Sequence, residues 1–147
     1  MSKPQIDEIS AELVEQVVTA AVKTYKQGKA CVKYDSDGDT ACVYASPDEP
    51  GVHCAVGHLM TEDELKKYGN VESSAHGLYE NWGFRPELES YEARFLNCLQ
   101  MAHDTCEGSE GDKFKSKFQE SLNRFMEPFP IALKMIQNAI EKEAESE

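Results

Sequence analysis

Ala30-Cys31-Val32-Lys33-Tyr34 and Ala41-Cys42-Val43-Tyr44, separated by Asp35-Ser36-Asp37-Gly38-Asp39-Thr40, decide the fold class. Both runs are short and β-prone, and the hexapeptide between them is turn chemistry, so the stretch predicts a β-hairpin. On either side the apolar period lengthens. Upstream, Ile6, Ile9, Leu13, Val17 and Ala20 recur at spacings of three and four, and Val14, Val18, Ala21 and Tyr25 widen the stripe. This predicts a helix over about residues 7–27, with Gly28 as its left-handed cap.

Downstream, Ser46-Pro47-Asp48-Glu49-Pro50-Gly51 is a loop. Residues 54–60 are apolar and predict a short buried helix. Thr61 with Glu64 three residues later is a capping-box signature for a new helical turn ending near Gly69. Residues 71–82 are weakly helical up to Gly83, with Trp82 and Phe84 expected to anchor the core. Pro86 is expected to open the next helix, on which Leu88, Tyr91, Phe95, Leu99 and Ala102 form one stripe. Phe114, Phe118, Leu122 and Phe125 mark another helix, which Pro128 and Pro130 break. Leu133, Ile136 and Ile140 mark the last, expected to dissolve into a charged tail from about residue 141. The expected class is therefore α+β, mainly α: four or five helices packed with one hairpin in a single domain spanning 1–147. An isolated hairpin is marginal in water, so this one must lean on the helices.

The chain has 147 residues, with 27 Asp and Glu against 15 Lys and Arg, a net charge of −12. Its apolar content of 40% suffices for a core and excludes wholesale disorder. A carboxylate-dominated surface repels phosphates, which argues against direct nucleic-acid binding and against anionic membrane surfaces. The first eight residues contain no apolar h-region, and no apolar run approaches the ~20 residues of a membrane span, so a cytoplasmic location is expected. In that compartment the five cysteines are expected to be thiols.

Five features bear on possible chemistry. Asp35-x-Asp37-Gly38-Asp39 superficially suggests a calcium loop, but glycine falls fourth and position twelve is Ser46, so a solvated turn is the better interpretation. Cys54 and His58 lie four apart and His103 and Cys106 three apart, a spacing that permits a Cys2His2 zinc site without any tight C-x2-C to specify it. Cys54 at the opening of a helix could be a nucleophile with His103 as base. Asp104, about 100° around the helix from His103, is expected to be poorly placed to orient it. Against both stands the common fate of unpaired buried cysteines, which pack as small hydrophobes. His53, His76 and His103 are each open to the blander reading of a lone surface or cap residue making a polar contact. The acidic excess is simple solvation, a surface offered to a basic protein partner or, in the extreme, an array of carboxylates mimicking the phosphate spacing of DNA.

Gln27-Gly28-Lys29-Ala30, Cys42-Val43-Tyr44, residues 54–60 and Leu99-Gln100-Met101-Ala102-His103-Asp104 together resemble a small uncharacterised protein family of tailed bacteriophages and bacterial genomes. Its recurring segments are Q-G-x-A, C-x-Y, C-A-[VI]-G-x-L and L-Q-x-x-H-D. The resemblance runs by patches over about residues 13–126. It departs at Thr61, where the pattern has proline, and between residues 68 and 86, which find no match. It brings no activity with it. It implies a phage or mobile-element accessory protein in the host cytoplasm, and it groups Cys42, Tyr44, Cys54, His103 and Asp104. Two functions are therefore weighed. The preferred one is a non-enzymatic acidic accessory protein that binds and modulates a host or defence protein, without a cofactor. The alternative is a small cysteine- or zinc-dependent enzyme centred on Cys54, His58 and His103.

Overall fold

Ser10 starts the first helix: its hydroxyl accepts the Leu13 N–H at 3.2 Å. Helix α1 then runs Ala11–Gln27 and stops at Gly28, whose φ of 72° supplies the expected left-handed cap. The computed structural model describes residues 9–34 and 36–146; Ile6 of the expected stripe and Asp35 of the calcium-like turn lie outside the described residues. Ile9, Leu13, Val17, Ala20, Ala21 and Tyr25 are buried, as the spacing requires.

Strands β1 (Val32–Tyr34) and β2 (Thr40–Cys42) pair antiparallel, with Val32 opposite Cys42 and Tyr34 opposite Thr40. The hairpin does lean on its surroundings. Lys33 bridges to Glu72 at 2.7 Å, and the Cys31 N–H is tied to His103. After it, a 3-10 turn (Gly57–Leu59) leads into α2 (Glu62–Tyr68), whose Thr61–Glu64 capping box is present in both directions. Helices α3 (Ala75–Asn81), α4 (Ser90–Asp104), α5 (Gly111–Phe125) and α6 (Pro130–Ser146) follow. Helix α1 is the hub: it packs against the 3-10 turn, α4, α5 and α6, while α4 also packs on α3 and α5.

The chain is thus mainly helical, with six α-helices among the described residues (59% helix) and one two-stranded sheet. The expected four or five helices fall short because α2 and α3 are seven residues each, defined by their caps more than by apolar period. Three local expectations are corrected. Trp82 is 50% exposed, because Gly83 at φ 75° turns the chain and sends Phe84, not Trp82, into the core. Pro86 sits in a turn, and α4 begins only at Ser90, where Glu89 and Glu92 form a capping box. The charged tail does not dissolve: Glu, Lys and Ala are strong helix formers, and Lys26 pairs with Glu143 at 3.6 Å, so α6 continues to Ser146. No helix among the described residues is long and apolar enough to cross a membrane.

Candidate functional site

The segments singled out by their chemistry meet at the C-terminal turn of α4. Cys31 donates its backbone N–H to His103 Nε2 at 2.9 Å. An acceptor nitrogen carries no proton, so in the neutral ring the proton sits on Nδ1, which donates to Asp104 Oδ1 at 2.7 Å. The same Oδ1 accepts from Gln100 Nε2 at 2.9 Å. Gln100 Oε1 in turn accepts the Cys54 S–H at 3.0 Å, and Cys54 Sγ accepts the Gly57 N–H at 3.1 Å. The result is one polar chain from the 3-10 turn through α4 to the hairpin. Cys54 and His103 are fully buried and Gln100 nearly so, whereas the Asp104 side chain is 39% exposed and forms the chain's wet end. Cys42 lies there too, its thiol 3.8 Å from Glu107 Oε1, while the Thr40 hydroxyl donates to Glu107 Oε2.

Asp104 therefore does orient His103, contrary to the helical-wheel expectation. The 100° between successive residues separates their Cα–Cβ directions. Nδ1 lies next to the ring's attachment point, and a carboxylate on a short side chain reaches it across that angle.

The thiols are held protonated. Burial raises Cys54 well above the ordinary thiol range, despite the Gly57 N–H that favours its thiolate. Burial, aided by the Asp104 charge, pushes Cys31 up to about 12. Burial again, followed by the neighbouring carboxylates of Asp104 and Glu107, raises Cys42 further. Burial likewise raises Cys98, Cys106 and the Tyr44 phenol. Cys54 accepts the Gly57 N–H just ahead of the 3-10 turn, but a desolvated thiol that donates to an amide oxygen is a poor nucleophile.

The residues offered for zinc are placed apart. His58 Nε2 meets Gln27 Oε1 at 2.9 Å, and Gln27's amide nitrogen is fixed on the carbonyls of Lys29 and His53. Burial, then the nearby His53 and Lys23, drop His58 to about 3. Cys106 donates its S–H to the Ala102 carbonyl at 3.4 Å. Cys54, His58, His103 and Cys106 are thus not gathered as one ligand set. Among the described residues the group with metal-compatible spacing is instead Cys42, His103 and Asp104, whose ligand atoms lie within 4.8 Å of one another. Its chemistry fits a cation poorly. For Nδ1 to ligate, its proton would move to Nε2, which would then face the Cys31 N–H donor to donor.

The other two histidines are partnered differently. His76 lies 3.4 Å from Glu80, and His53 is edge-on to His58. Two residues that matter most here, Gln27 and Gln100, were not apparent from their chemistry. Neutral amides announce nothing alone.

Beside the wet end of the chain, the hairpin and the segment after α4 enclose a cleft of about 340 Å³. Glu49, Glu107 and Glu110 line it with Val32 and Tyr34, and Lys29 neutralises Glu49. Tyr34 is 60% exposed. Compared with known protein families, curated proteins and solved structures, the chain matches none.

Proposed function

We propose that this chain is a non-enzymatic acidic accessory protein of the phage type, working in the host cytoplasm, which binds and modulates a host or defence protein through its carboxylate surface. The supporting observation is the closure of the buried polar chain. Both ring nitrogens of His103 are occupied, the Cys54 thiol is protonated and hydrogen-bonded, and no buried side-chain polar atom among the described residues lacks a partner. A base or nucleophile needs a free lone pair facing substrate, so the chain is better suited to join hairpin, 3-10 turn and α4 than to do chemistry. What stays open to a partner is the outside, and the Glu49–Glu107–Glu110 cleft with its exposed Tyr34 suits a basic side chain. No resident metal is required.

Affinity capture from a host lysate, with E107Q/E110Q as comparison, tests the proposal. We expect a partner whose capture falls in moderate salt and in the double variant. Capture indifferent to both would overturn the acidic-surface reading, and near-stoichiometric zinc in the purified protein would favour the zinc-dependent enzyme alternative.

A further inference from the structure

A second surface has the opposite character. Helices α1 and α6 leave between them an open groove of about 610 Å³, floored by Val18, Val22 and Ala139. Its apolar edge continues along α6 through Met135, four residues before Ala139, and Ile131, four before that. These are 48% and 55% exposed. Past Val22 and Ala139 the rim turns basic, with Lys23, Lys26 and Lys142. Lys26 is engaged by Glu143 across the groove, whereas Lys23 and Lys142 make no ion pair among the described residues. Two uncompensated cations beside an apolar strip stand out on a chain of net charge −12.

From this juxtaposition we infer that the α1–α6 groove docks an amphipathic helix of another protein, its apolar face on Val18, Val22, Ala139 and Met135 and its carboxylates on Lys23 and Lys142. Helix-in-groove recognition needs an apolar strip a few turns long and a charge that fixes direction, and both are present. A second copy of this chain is the poorer occupant, since two bodies of charge −12 repel. The inference does not rest on the acidic cleft, which lies on the hairpin side.

The probe is a fluorescent amphipathic model helix of about 18 residues, leucine on one face and glutamate on the other, with a lysine-for-glutamate twin. Both are titrated into the full chain. Bulk charge alone would favour the lysine twin. We expect the glutamate helix to bind saturably and more tightly, and its affinity to fall about tenfold or more in both K23E/K142E and M135E. All three side chains are exposed, and thermal melts confirm that the variants fold. Equal or tighter binding of the lysine twin would overturn the inference, as would an affinity unmoved by either variant. So would a wild-type dimer that M135E splits in sedimentation, which would mean that a second copy covers the groove.

Discussion

His103 acts as a two-sided connector: it accepts from the hairpin's Cys31 N–H and donates to Asp104 at the end of its own helix. Replacing it with phenylalanine keeps the ring volume and removes both bonds, leaving the buried Cys31 N–H unsatisfied. We expect H103F to lose about 2–4 kcal/mol in urea unfolding with an unchanged slope. In the native protein, nitrogen chemical shifts should place the neutral ring's proton on Nδ1. His58 makes a different demand. Its folded value of about 3 lies below the ordinary 6.5, so below pH 6.5 the unfolded chain binds a proton that the folded chain refuses. Stability from this group is complete above pH 6.5 and is lost as the pH falls toward 3, by at most about 1.4 kcal/mol per unit. H58Q should flatten that slope in denaturation curves recorded between pH 7 and 4; an unchanged slope would show that His58 is not held neutral. These roles were half legible in the sequence. His103, Asp104 and Cys54 stand out by type, but the Cys31 amide that fixes the tautomer has no signature, and the amides that join the parts lie far away in the chain.

Gly57 shows how the elements are fitted together. A Cβ there would lie 2.1 Å from the Tyr44 carbonyl oxygen, which the Cys54 N–H already engages, so the 3-10 turn touches the strand exit backbone to backbone. We expect G57A to cost several kcal/mol, on the order of 3–5, or to prevent folding, whereas alanine at exposed Gly38 meets no atom within 4 Å and costs only its positive φ. Thermal melts of the two variants distinguish these outcomes. The sequence announced the elements whose cause is local: the apolar period of α1, the Gly28 cap, the hairpin and the Thr61–Glu64 box. It misplaced Trp82, which the adjacent Gly83 turns outward, and it misplaced the start of α4 and the end of α6, where part of the cause is distant. Glu92 caps α4 while also accepting the Ser10 N–H from the start of α1, and Lys26 of α1 helps to hold the end of α6.

Taken together, the hub helix, the closed polar chain and the two oppositely charged surfaces describe a protein whose interior is finished and whose exterior is available. The net charge of −12 was plain from composition, but its distribution was not. Neither the basic rim of the α1–α6 groove nor the acidic cleft beside the hairpin could be read before the fold placed those side chains. The division between a finished interior and a working surface is tested most directly at Cys54, by mapping the alkylation of each cysteine in the native protein by mass spectrometry between neutral and mildly alkaline pH. We expect Cys54 to stay unmodified over that range and to react once the chain is unfolded. Native Cys54 alkylated near neutral pH as fast as a free thiol, or faster, would contradict this picture and place a reactive sulfur at the centre of the molecule.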